Sequence, residues 1–238
     1  LAAALVERSR TVIVLDEFSG LSNICHRLRL ATTFNLEQVL RREARLADTL
    51  VDSERGFSIL PIAARPQMLA CLNEQEQYWL GSEFENLADS ADFLLLDTCP
   101  AANSNVPSLS LAADDVLIVL TNRAESLTDA YATIKLLYTE FARRDFRILV
   151  NRVHRLEDAA ALFGRIREVA QHYLGKEIRL KLVGFVPEDE KLNRATRLGQ
   201  TILEAFPESE SAMAFRQLAD VMLRWTSPAQ RHDTPAAF

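Results

Sequence analysis

Several polar groups in this chain stand directly after short apolar runs, where they could hold a metal ion or a nucleotide. Asp16 closes Thr11-Val-Ile-Val-Leu15, and Asp97 closes Phe93-Leu-Leu-Leu96. Asn151 closes Phe146-Arg-Ile-Leu-Val150, and the turn Pro187-Glu188-Asp189 closes the run from Arg179 to Val186. A continuous apolar run of this length, bounded by polar and turn residues, suits a strand buried on both faces of a sheet. A carboxylate at the carboxyl end of such a strand is placed to hold magnesium beside a nucleotide phosphate, because ligands of open α/β sheets bind along that edge. The alternative for Asp97 is a helix cap, since Asp accepts well from the free N–H groups of a first turn.

These groups need a sheet to gather them. The pattern predicts further strands at Gly56 to Pro61 and Val116 to Leu120, the latter ending in Thr121-Asn122-Arg123. Helices are expected between them. Leu1 to Arg8 reads as the last turns of a helix already under way. Asn35 to Ala44 follows, with Arg41, Arg42 and Arg45 on a solvated side, and then Pro66 to Ala88, with a break at Gly81. Ser126-Leu-Thr-Asp129 has capping-box spacing, and Leu127, Ala130, Tyr131, Ile134, Leu137, Tyr138 and Phe141 form one apolar stripe behind it. Leu156, Ala159, Phe163, Ile166, Ala170 and Tyr173 mark the next helix, and Leu192 to Leu203 and Ser209 to Trp225 the last two. Strands and helices that alternate in this way predict an α/β fold: a doubly wound, mainly parallel sheet with helices on both faces. The expected domain is single, residues 1–225, with a disordered tail over 226–238.

Composition narrows the function classes. The 238 residues carry a net charge of −6, which argues against nucleic acid as the main partner. No apolar run approaches the roughly 20 residues that span a bilayer. Cys25, Cys71 and Cys99 form neither an even set nor a Cys-x-x-Cys spacing, which fits a reducing cytosol rather than a disulfide or zinc framework. Neither Gly-x-x-x-x-Gly-Lys-Ser/Thr nor Gly-x-Gly-x-x-Gly occurs, and the seven glycines are scattered. The chain opens on Leu1 rather than Met and carries no secretory leader, so it is expected to be part of a longer protein.

The segments Thr11 to Asn23, Gly56 to Ala63, Phe93 to Ala101, Ser126 to Leu137, Phe146 to Val153 and Gly184 to Pro207 resemble, in order and separation, the MinD/ParA-type P-loop ATPases. Within that family they are most similar to the regulators of flagellar number called FlhG, FleN or YlxH, in their divergent β-proteobacterial form. SLTDAYATIKLL and GFVPEDEKLNRATRLGQTILEAFP are the most specific of these segments. The resemblance implies a cytoplasmic protein that binds ATP or ADP with magnesium. Asp97 matches the Walker B aspartate, which supports magnesium through water, although Ala101 stands where the family has Gly. Asn151 and Pro187, Glu188 and Asp189 match positions that contact adenine and ribose; capping and turn formation are their alternative. Asp16 matches the first aspartate of an Asp-x-Asp switch, and Phe18 stands where the second, which orients the attacking water, would be. The Walker A loop is expected upstream of Leu1, as is the short helix that stimulates the SRP-type GTPase FlhF.

The implied partners are a second copy in an ATP-dependent homodimer, FlhF or flagellar regulators and switch proteins, and the inner membrane as a peripheral contact. For the last, Phe215, Leu218, Ala219, Met222 and Trp225 share one face of the helix within 213–225; packing on the domain's own core is the alternative. A catalytically dead interaction module of the same fold is the rival function. A partition-type ATPase is a third, for which Arg143, Arg144, Arg147, Arg152 and Arg155 are the only candidate DNA surface.

Overall fold

β-Branched and leucine-rich runs become strands wherever the pattern predicts them, and two sheets result. The computed structural model describes residues 1–18, 23–32, 34, 36–61, 72–98 and 113–225. Residues 19–22, the start of the helical run at Pro66, Cys71, Cys99, the turn at Pro100 and Ala101, residues 102–112 and the tail from Thr226 lie outside the described residues. The chain divides into two compact units, one of Leu1–Ser110 with Glu190–Ala212 and one of Leu111–Asp189 with Met213–Phe238.

In the first unit the short helix α1 (Ala2–Val6) leads into β1 (Val12–Asp16), followed by α2 (Ile24–Arg27), α3 (Leu36–Leu40), β2 (Val51–Asp52), β3 (Phe57–Pro61), α4 (Glu74–Asp89) and β4 (Phe93–Asp97). The strand order is β2-β3-β1-β4, with β1 parallel to both β3 and β4 and β2 antiparallel to β3. β1 is buried along its whole length, because it has strands on both sides and apolar residues above and below. β4 differs from the expectation of full burial. It pairs with β1 alone among the described residues, its four apolar residues are half-buried, and Asp97 is exposed.

Two helices also depart from the pattern. α3 stops at Leu40 rather than Ala44, and Arg42 turns the chain at φ 63° with its guanidinium 3.4 Å from the centre of the Trp79 ring. α4 runs unbroken through Gly81, where a side chain would meet nothing, so the glycine costs only propensity. Its start is fixed by a capping box between Asn73 and Glu76.

Gly56 opens β3 at φ +82°, and a Cβ there would stand 2.7 Å from Val6 Cγ1. Backbone conformation and contact both oppose an L side chain, so Gly56→Ala is expected to lower stability by about 1–3 kcal/mol. Urea unfolding reads this, and Val6→Ala in the same chain should restore only the part due to contact. An unchanged midpoint in Gly56→Ala would refute the strain.

The second unit holds a parallel sheet of order β5-β6-β7, from β5 (Leu117–Leu120), β6 (Asp145–Val153) and β7 (Arg179–Pro187), with α5 (Ala124–Phe141) and α6 (Leu156–Leu174) as crossovers. Ile134, Leu137, Phe146, Ile148, Val150, Leu162 and Ile166 are at the centre of its core. The α5 stripe is as expected except that Phe141 is 45% exposed. Leu156 and Tyr173 are exposed at the ends of α6, and Leu162, outside the expected stripe, is buried in its middle. α5 begins two residues before Ser126, so Ser126 is not its cap; its hydroxyl accepts the Thr121 N–H at 2.9 Å and ties the helix to the end of β5.

The final segment forms α7 (Glu190–Leu198), α8 (Ile202–Ala205) and α9 (Glu210–Met222). The helix expected over 192–203 breaks at Gly199, φ +72°. Arg29 and Arg55 donate to the carbonyls of Arg197 and Gly199, at 2.8 and 3.0 Å, and so close the end of α7. On α9, Leu218, Ala219 and Met222 are buried, with Phe215 and Trp225 half-buried. The face on which membrane contact would depend is therefore largely withdrawn from the surface. Among the described residues no helix is long and apolar enough to cross a membrane.

Candidate functional site

The carboxyl ends of β1 and β4 place Asp16 and Asp97 side by side, in register across the parallel pair. Asp16 is fully buried. One carboxylate oxygen accepts the Phe18 N–H at 3.0 Å and the other the Ile24 N–H at 2.5 Å, so a single side chain fixes the backbone after β1 and the start of α2. Asn23 adds two ties, accepting the His26 N–H at 3.3 Å and donating to the Phe18 carbonyl at 3.1 Å. Asn23 is the N-cap of α2 and Asp16 takes a further N–H of its first turn, whereas the segment that Asp97 would cap lies outside the described residues.

Asp97 is exposed, and its own carbonyl accepts the Glu17 N–H at 3.1 Å. Its carboxyl is held above the ordinary carboxylate value. Partial burial at the strand's end is the largest cause and the Asp16 carboxylate the next; Arg27 opposes them and Glu17 adds to them. A carboxylate that is short of positive charge and open to water suits a divalent cation. Among the described residues no group of three or more His, Cys, Asp or Glu could hold a metal ion unaided. One exposed carboxylate beside a buried one is a donor set of the kind magnesium uses when it keeps several waters and shares phosphate oxygens.

The second set of predicted residues lies at the ends of β6 and β7. β6 continues two residues past Asn151, through Arg152 at φ 59°, to Val153, with a bulge between Asn151 and Val153. Asn151 is half-buried opposite Val186, and Pro187 is the buried last residue of β7, opposite Val153. The Glu188 N–H donates to the Val153 carbonyl at 3.1 Å. The Glu188 side chain lies 3.6 Å from Arg152 and 3.7 Å from His154, while Asp189 is half-buried. Thr121 is half-buried at the end of β5, and Arg123 pairs with Glu125 at 3.6 Å. Within each unit, then, the predicted residues do converge on the carboxyl ends of the parallel strands.

The arginines proposed as a DNA surface are largely committed elsewhere. Arg144 pairs with Glu177 at 3.1 Å, Arg147 with Asp115 at 2.7 Å, and Arg152 with Glu188. Arg143 donates to the carbonyls of Ala113 and Asp114.

The antiactivator FleN of Pseudomonas aeruginosa is 33% identical to this chain over 229 residues, which cover 96% of the chain and 81% of FleN. The chain belongs to the MinD/ParA-type P-loop ATPase family. A second relative in this family, the flagellum site-determining protein YlxH of Helicobacter pylori, is 23% identical over 94% of the chain and 75% of its own length. Two solved structures share the MinD/ParA fold. MinD of Aquifex aeolicus superposes with a TM-score of 0.72 at 20% identity, covering 95% of this chain and 90% of that one. MinD from Pyrococcus horikoshii, complexed with Mg-ADP, gives 0.66 at 23%, covering 94% and 87%. No protein-family profile matches the chain.

Sequence reasoning passed over Arg27, His154 and the pairing role of Arg152. None is marked by periodicity or by a motif: Arg27 reads as an ordinary basic residue, and Arg152 and His154 acquire a partner only once β6 and β7 are in register.

Proposed function

We propose that this chain is a nucleotide-dependent regulator of flagellar number and placement that works through protein contacts and hydrolyses ATP slowly. The observation that carries the proposal is the similarity to FleN and YlxH over nearly the whole chain. In this reading Asp97 supports magnesium through water, and Asn151 with Pro187, Glu188 and Asp189 contacts the base and ribose. Asp16 holds the switch backbone rather than the reacting water. Bound magnesium would neutralise charge on the phosphates of ATP or ADP; the chain's own residues bind, orient and exclude water around it. A second copy of the chain, an SRP-type GTPase such as FlhF and flagellar regulators are the partners of this reading.

A catalytically dead module of the same fold remains the second reading, favoured by Phe18 at the water-orienting position. The test of function is deletion of the gene in the source bacterium, complementation, and counting of flagella per cell by electron microscopy. A changed number or position, restored by the wild-type gene, supports the proposal; an unchanged count and placement would sink it.

A further inference from the structure

In the second unit, β6 ends through a strained residue. Arg152 takes φ 59° inside the strand, at the bulge between Asn151 and Val153. Glycine adopts that left-handed conformation freely, whereas a residue with a Cβ is strained in it. A long side chain kept at such a position points to a use for the side chain, because strain of this kind persists where the surroundings fix it and gathers beside ligands.

The partner of that side chain is Glu188. The Val153 carbonyl accepts the Glu188 N–H at 3.1 Å, and Val153 is buried, so the backbone of Glu188 is anchored to the core at the end of β6. Pro187, the buried last residue of β7, fixes the approach from the other side. Arg152 and His154 flank Val153. Arg152 lies 3.6 Å from Oε1 of Glu188, and His154 lies 3.7 Å from Oε2. Glu188 is thereby held at its backbone and at both ends of its carboxylate. Arg152 supplies the permanent charge, and His154 adds to it only when its ring is protonated.

Both ion pairs are open to water, where such pairs contribute little to stability, so the fold does not account for them. Their effect is to order a carboxylate. That group accepts hydrogen bonds and donates none, and its several lone-pair positions leave room for hydroxyl donors beside the two cations. A glutamate already ordered before binding does not lose its rotamer freedom when a ligand arrives. Neighbouring hydroxyls on a sugar are donors of the kind that a fixed carboxylate selects.

We infer that Arg152 is a positioning residue: it holds the Glu188 carboxylate where that group accepts from the ribose hydroxyls, and so makes the protein prefer a ribonucleotide to a 2′-deoxyribonucleotide. This rests on the nucleotide-binding reading above and deepens it, by assigning discrimination of the sugar to Glu188 and the residue that orders it.

The test is equilibrium binding of ADP and of 2′-deoxy-ADP, each with magnesium, to the full-length protein and its variants. Wild type should prefer ADP by about tenfold, the scale of a hydrogen bond to a charged group. Arg152→Gly should reduce that preference to about twofold by weakening ADP alone, since the deoxy sugar lacks the hydrogen bond at stake. Its thermal midpoint should not fall, because glycine relieves the strained backbone and the lost pair is exposed. Arg152→Lys keeps a charge without the planar fork and should restore part of the preference. Glu188→Gln should lower the preference at least as far, and adding Arg152→Gly to it should change nothing more, which shows that Arg152 acts through Glu188. The ratio of the two affinities is insensitive to the fraction of protein folded, so it reads the effect even in a destabilised variant. Equal losses for both nucleotides in Arg152→Gly, or a wild type that binds both equally, would overturn the inference while leaving nucleotide binding intact. A wild type that binds neither would remove the reading and the inference together.

Discussion

Purified full-length protein, given ATP and magnesium, should turn over about 10²–10⁴ more slowly than relatives that carry the water-orienting aspartate, because that is the scale of a general-base contribution. The residue at issue is Phe18, two positions after Asp16. Phosphoryl transfer to water depends on placing the nucleophile in line and on neutralising charge at the γ-phosphate. A phenyl ring neither accepts the water's hydrogen bond nor polarises it. The backbone at this position is firmly set, with the Phe18 N–H on Asp16 and its carbonyl on Asn23. A carboxylate installed there would therefore start from a fixed origin, and Phe18→Asp is expected to raise turnover in a steady-state phosphate-release assay. The proposed reading assigns binding to Asp97, Asn151 and Pro187 to Asp189 rather than to the ring, so nucleotide affinity is expected to persist in wild type. The outcome is a switch held for long periods in whichever state its nucleotide and partners favour. Wild-type turnover at a rate typical of its ATPase relatives, unaffected by Phe18→Ala, would mean that another residue orients the water.

The alternation of strand and helix was legible because it is written in period. Runs such as Val12 to Leu15 and Ile148 to Val150 are short, β-branched and bounded by polar residues, which suits a buried strand, and the stripe through Ile134 and Leu137 is spaced for one helical face. What period does not carry was lost. β4 reads as a fully buried strand, but burial depends on which strands lie beside it, and its sequence is the same whether it has one neighbour or two. Ser126 looked like a cap because capping boxes are read by spacing, but the helix gained two earlier residues and the hydroxyl was used by Thr121. At the site, Asp16 and Asp97 were equally visible as carboxylates after apolar runs. Their division of labour was not, because it is decided by where α2 begins. Only the fold shows that Asp16 spends both oxygens on backbone N–H groups while Asp97 faces water.

That division gives Asp16 a structural role whose loss should be costly to the fold. Replacing it with Ala strands the N–H groups of Phe18 and Ile24, both of which it now satisfies from a fully buried position. Each unsatisfied buried donor costs about 1–3 kcal/mol, offset in part because a buried charge is removed as well, so Asp16→Ala should lose about 2–4 kcal/mol in denaturant unfolding. Asp16→Asn should lose less, since its amide oxygen keeps one of the two bonds. The same substitutions remove the negative charge that holds Asp97 up, so the Asp97 carboxyl should titrate lower in Asp16→Asn than in wild type. The sign of the pH dependence follows. A carboxyl with a raised value in the folded state binds more protons there than in the unfolded chain, so its contribution to stability is complete below the ordinary carboxylate value. That contribution is lost as pH rises through the raised folded value. In wild type, stability should therefore slope downward across that window because of Asp97, and in Asp16→Asn the slope should flatten. A flat wild-type profile, or an Asp97 titration that is indifferent to Asp16→Asn, would show that the two carboxylates do not sense each other and that the corner lacks the uncompensated negative charge to which magnesium is assigned.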